Sequence, residues 1–245
     1  GTRLSEETTT RPKPMVEICG KPIIWHIMKI YSSYGINDFI ICSGYKGYMI
    51  KEYFANYCMH NSNLEINMET KDINSIGGCI EPWKVRVIDS GENSMTGGRI
   101  KNVERYIDDE MFCLTYGDGV ADVNIKKLIE FHKANDKKCT LTAVRPQARF
   151  GALVIENDTV RNFNEKSLRG NSWVNGGFFV VNKKVINKIE GESCVWERDI
   201  LPQMAKRNEL AAFKHEGFWQ PMDTIREKNM LEELYEKNKT PWRVW

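Results

Sequence analysis

The run Met111–Tyr116 (MFCLTY) most narrows what this chain can become. It is an unbroken apolar stretch of strand length that stops at Gly117-Asp118-Gly119, so it reads as a strand buried on both faces with a polar turn at its carboxyl end. Asp38–Ser43 (DFIICS), Lys84–Asp89 (KVRVID) and Cys139–Val144 repeat the pattern, and helical spacing lies between them. Lys21-Pro22 opens one helix, with Ile23, Ile24, Ile27, Met28 and Tyr31 on one face and Gly35 beyond its end. Tyr48–Asn56, Arg99–Tyr106 and Ile125–Ala134 read as further helices. Strand–helix alternation predicts an α/β fold with a doubly wound, mostly parallel, Rossmann-like sheet.

From Phe150 the pattern shortens to strands at Ala152–Ile155, Val160–Asn164 and Gly177–Val181, expected as antiparallel additions in the C-terminal half. Helices at Trp196–Arg207 and Arg226–Lys237 flank a strand at Leu210–Phe213. Leu64–Met68 reads as a strand, but Lys71–Pro82 has no clear period, so 57–83 is expected as a long functional excursion. Ser94–Gly98 reads as a turn. No repeat or low-complexity linker interrupts the 245 residues, which are expected to form one domain with an elaborated C-terminal half.

Charge narrows the partners. Lys and Arg total 35 against 33 Asp and Glu, a net +2 with no basic run, so no nucleic-acid partner is expected. No apolar stretch reaches the ~20 residues of a membrane span, and no secretory pattern opens the chain, so no membrane partner is expected. Seven widely spaced cysteines without C-x-x-C read as free thiols of a reducing cytoplasm. The four histidines have no metal-binding spacing, and zinc is not expected.

Anion chemistry gathers at a few places. Gly1-Thr2-Arg3, with Lys13 ten residues on, suits a phosphate, although such residues also make ordinary polar loops. Asp118 lies where an open α/β sheet binds ligands, and a plain turn aspartate is an equal reading. Asp223 sits in the aromatic segment GFWQPMDT, and Glu165-Lys166 follows a strand. Two aspartates can share one octahedral Mg²⁺, and Arg3, Lys13 and Lys166 supply three cations for phosphates.

These segments together resemble the sugar nucleotidyltransferases, the nucleoside-diphosphate-sugar pyrophosphorylases. The resemblance rests on GTRLSEET, RPKPMVEI, GKPIIWHIMKIYSSYGINDFIICSGYKGYMIKEYFANY, EPWKVRVIDSGENSMTGGRIKNV, TYGDGVADVNI, RFGALVI, NGGFFVVN and GFWQPMDT, and spans nearly the whole chain. The SMTGGR and WQPMDT versions favour the cytidylyl branch. That branch moves a cytidylyl group from CTP to glucose 1-phosphate, with Mg²⁺ as cofactor. The resemblance implies Gly1, Thr2 and Arg3 on the triphosphate and Lys13 at the α-phosphate. It implies Asp118 and Asp223 as metal ligands, Asp118 also contacting nucleotide, and Gly97, Gly98 and Arg99 at the base. Lys166 would hold the sugar phosphate, and Gly151, Glu165, Asn175, Gly176 and Trp219 would line the sugar side. A nucleotide-binding half at 1–145, a sugar-phosphate-binding half with the C-terminal helix at 146–245, and a homo-oligomer are implied too.

The family begins with a buried strand and further loop glycines, and this sequence starts after both. Its usual proline after glutamate-lysine is Ser167 here. UTP or dTTP in place of CTP, a metal-dependent glycosyltransferase, and a regulatory nucleotide-sugar-binding module remain as alternatives.

Overall fold

The computed structural model describes residues 4–78, 81–146, 152–156, 159–164 and 172–245. Its main sheet grows from the apolar runs. Phe179–Asn182 lies between Met111–Leu114 and Cys139–Val144, antiparallel to both. Cys139–Val144 also pairs in parallel with Leu210–His215 and antiparallel with Val174–Asn175. Asp38–Ser43 and Lys84–Asp89 form a second parallel pair, in register from Asp38↔Lys84 to Ser43↔Asp89.

Successive side chains of a strand point to opposite faces, so a strand buried on both feeds two cores. Phe179 and Val181 enter one core, while Phe178 and Val180 enter the other. Helices Ile23–Ser32 and Ile125–Ala134 cover the Val180 face through Ile23, Ile27, Ile30, Ile125 and Leu128. The opposite face is covered by helix Thr96–Asn102, the turn Lys183–Lys188 and the segment 196–206. Helix, sheet and helix make three layers, the doubly wound α/β class expected. Among the described residues Asp38–Ser43 and Met111–Leu114 each pair along one edge only.

Four local expectations change. The excursion at 57–83 contains a short helix, Tyr57–His60, and a hairpin, Asn63–Asn67 with Asp72–Ile76. All ten hairpin residues are exposed, so its second strand, DINSI, carries no burial pattern to read. The expected turn at Ser94–Gly98 holds the first turn of helix Thr96–Asn102, and a separate 3₁₀ turn occupies Glu104–Tyr106. Two glycines suit that helix start because another backbone crosses it. A Cβ on Gly97 would meet Cys194 O at 2.8 Å, and one on Gly98 would meet Glu192 O at 2.3 Å. The expected helix at Trp196–Arg207 opens with a π-turn over Trp196–Ile200, then runs as α-helix from Leu201 to Lys206 with Pro202 in its first turn. The expected Gly177–Val181 strand starts at Phe179, because Gly177 and Phe178 both have positive φ.

The carboxyl terminus is fastened to the first long helix. Trp242 is fully buried, and its Nε1 donates to His26 Nδ1 at 3.4 Å. His26 Nε2 lies 2.9 Å from Ile18 O, which can only accept. The two contacts fix a neutral ring, with the proton on Nε2. Burial drives this imidazole from 6.5 down to about 4, the Ile18 carbonyl opposing, the Arg243 and Lys21 charges adding. The unfolded chain therefore binds a proton near pH 6.5 that the folded chain refuses until about pH 4. Stability from this group should be intact above pH 6.5 and fall by up to about 3 kcal/mol on acidification to pH 4. Urea titrations across that range should show the loss, and His26→Gln, which keeps one donor and one acceptor, should lack this component.

Candidate active site

Lys13 is delivered by a stiff turn. Lys13–Met15 is one 3₁₀ turn, Pro12 precedes it and Pro14 lies within it, and Met15 N donates to Pro12 O at 2.8 Å. Buried Met15 and Val16 then anchor it to the core.

Asp118 and Asp223 meet through a two-stranded ribbon. Beyond the strand Met111–Leu114, Gly119–Ala121 pairs antiparallel with Trp219–Pro221, with Pro221 opposite Gly119. Met222 N continues the ladder by donating to Asp118 O at 2.7 Å. Asp223 is held on both sides, Leu4 N donating to its carbonyl at 3.2 Å and its own N–H donating to Glu227 Oε2 at 2.8 Å. Glu227 and Thr224 form the capping box of helix Ile225–Glu236. At the other end of the ribbon Asp122 Oδ1 accepts from Phe218 N at 2.7 Å and lies 2.9 Å from His215 Nε2.

Lys13 Nζ donates to Asp118 Oδ2 at 2.6 Å and to Asp223 Oδ1 at 2.5 Å. Burial alone would lower this ammonium, but the Asp118 charge and hydrogen bonds to both carboxylates outweigh it and raise its pKa. The group stays cationic at any physiological pH. The side chains are 29%, 32% and 53% exposed, so water screens the pairs and their worth is geometric more than energetic.

Two carboxylates around one cation position suit a single hard divalent ion that keeps several sites for other oxygens. Among the described residues no group of three or more His, Cys, Asp or Glu could hold a metal, so any ion here would rely on this pair.

The two aspartates line a cleft of about 880 Å³, along with Asn175, Gly176 and Trp219. Trp219 Nε1 donates to Gly176 O at 2.8 Å. Tyr116, Glu197 and Arg226 also line it, and the sequence reading missed all three. Tyr116 could have been suspected from its place beyond the best strand, whereas Glu197 lies in the π-turn and gives no sequence signal. Gly1, Thr2, Arg3, Gly151, Glu165 and Lys166 lie outside the described residues. Gly97, Gly98 and Arg99 are not brought to the cleft. The glycines pack on 192–194, and the Arg99 guanidinium donates to Ser43 O, Ser90 Oγ and Glu92 O at 3.0–3.2 Å. Those hydrogen bonds tie the end of the strand Asp38–Ser43 to Ser90 and Glu92 and use three of the five guanidinium N–H groups.

A three-layer α/β sheet with two carboxylates and a lysine converging beyond its strand ends defines a nucleotide-binding transferase site. Residues 1–226 match the family described as nucleotidyl transferase, and the chain belongs to that family. It is 56% identical over 246 residues to the glucose-1-phosphate cytidylyltransferase of Salmonella typhi, covering 100% of this chain and 96% of that one. The structure of HddC from Yersinia pseudotuberculosis is similar at TM-score 0.67 and 26% identity, over 96% and 95% of the two chains. Apo UDP-glucose pyrophosphorylase, at TM-score 0.67 and 16% identity over 95% and 93%, shares the fold.

The bridging ammonium generates a test. In Lys13→Met the two carboxylates lose their shared counter-charge, so a divalent cation should bind there without competition. MgCl₂ should then raise the thermal midpoint of the variant by several degrees and that of the parent by less. Equal shifts would show that the carboxylates do not converge on one cation position.

Proposed function

We propose that this chain transfers the cytidylyl group of CTP to α-D-glucose 1-phosphate, giving CDP-glucose and pyrophosphate. The observation that carries the reading is 56% identity with the Salmonella typhi cytidylyltransferase along the entire chain. The site chemistry supports it. An oxygen of the sugar phosphate forms a bond to the α-phosphorus as the bond to pyrophosphate breaks. That oxygen is already ionised near neutrality, so no general base is required, and positioning with charge stabilisation carries the rate.

Asp118 and Asp223 would hold Mg²⁺, whose bound charge neutralises phosphate oxygens. Lys13, kept protonated by the two carboxylates, sets a fixed positive charge beside them for the α-phosphate. Arg3, with Gly1 and Thr2, would face the triphosphate, and Lys166 the sugar phosphate. Gly151, Glu165, Asn175, Gly176 and Trp219 would meet the sugar. Gly97, Gly98 and Arg99 would serve at the base, the Arg99 guanidinium keeping two of its five N–H groups beyond those given to Ser43, Ser90 and Glu92.

The chain would work in the cytoplasm, in keeping with the free thiols of Cys19, Cys42, Cys58, Cys113, Cys139 and Cys194. It would act as a homo-oligomer, for which the hairpin is the supporting surface. Leu64, Ile66 and Ile73 share one exposed face of it, and Met68 lies at its tip, 84% exposed.

Pyrophosphate release from CTP, UTP, dTTP and GTP with glucose 1-phosphate tests the reading. CTP should be preferred, and Asp118→Asn and Asp223→Asn should each lower turnover by roughly a hundredfold or more while remaining folded. Preference for another nucleotide would replace the cytidylyl assignment, and no release from any would end the transferase reading.

A further inference from the structure

Beside the two aspartates, the cleft wall carries a chain of side-chain hydrogen bonds whose directions are all determined. Trp196 N donates to Thr96 Oγ1 at 2.9 Å, and the same hydroxyl donates to Glu197 Oε2 at 2.7 Å. The Glu197 carboxylate can only accept, so the Tyr116 hydroxyl, 2.7 Å from Oε1, donates to it. The phenol oxygen is thereby left as an acceptor. It takes a hydrogen from Asn175 Nδ2 at 2.9 Å, while Asn175 Oδ1 accepts from Gly177 N at 3.0 Å. Reversing the Asn175 amide would set donor against donor at Gly177 N and acceptor against acceptor at the Tyr116 oxygen.

The phenol itself is held. Its ring packs edge-on against fully buried Phe179, and a Cβ on Gly177 would stand 3.0 Å from Tyr116 Cδ2. An amide nitrogen has two hydrogens, and one is spent on Tyr116. The group that Asn175 can still offer to the cleft through Nδ2 is a donor.

We infer that Tyr116 and Glu197 are positioning residues that lock Asn175 as a hydrogen-bond donor toward an acceptor oxygen of the sugar phosphate. The inference rests on the transferase reading above and names what orders its sugar side. Neither residue need touch substrate. A lock of this kind lowers the cost of ordering Asn175 when the sugar arrives, so its loss acts on sugar affinity.

The test is a double-mutant cycle on the full chain, with thermal unfolding to confirm folding. Tyr116→Phe, which keeps the ring, should raise the KM for glucose 1-phosphate about tenfold, the size of one lost hydrogen bond, and leave the KM for CTP unchanged. Asn175→Ala should raise the same KM, and Tyr116→Phe should add little in the Asn175→Ala background. If Tyr116→Phe does not fold, Glu197→Gln takes its place in the cycle. Equal rises in both KM values, no rise, or fully additive effects would overturn the positioning role while the parent's activity stood. A parent with no transferase activity would instead overturn the reading beneath it.

Discussion

The site depends on one short pairing. Gly119–Ala121 runs antiparallel to Trp219–Pro221, and Pro221 stands opposite Gly119. That register sets Asp118 beside Met222 and brings the Asp223 carboxylate to the same ammonium as Asp118, although about a hundred residues separate the two aspartates. A slip by one residue would turn side chains to the opposite face and part the carboxylates. The pairing gains its firmness from the flanks. Val120, Ala121 and Met222 are fully buried, and Asp122 fastens the turn that leads into Trp219.

Because the charges at the centre are half open to water, precision has to come from the surrounding backbone. The proline-bounded turn at Lys13, the capping box behind Asp223 and the indole of Trp219 on Gly176 each fix one position. The Glu197 chain adds a second wall and reaches Thr96, the first residue of the helix that carries the double glycine. The cleft and that helix therefore share a carboxylate.

Away from the site, the hairpin Asn63–Asn67 with Asp72–Ile76 is amphipathic. Leu64, Ile66 and Ile73 lie on one face with Ser75, and Asn63, Glu65, Asn67, Asp72, Asn74 and Ile76 lie on the other. A two-stranded hairpin is marginal on its own in water, and this one exposes both faces.

The residues alone determined the layered fold. Runs such as DFIICS and CTLTAV are apolar on both faces, and a strand of that kind must lie between two layers, whatever follows it in the chain. They also marked Asp118 as lying beyond a strand end, since that needs only a strand and a turn to be read, whereas Asp223 stood out only through its aromatic segment and the resemblance. Tertiary structure alone decided what those residues meet. Lys13 between both carboxylates, Arg99 on Ser43, and Glu197 on Tyr116 all join positions far apart in sequence. Local periodicity records which face of an element is buried. It carries no record of which distant backbone crosses that face, so the glycines at 97 and 98 read as a turn until the 192–194 backbone is seen to lie on them.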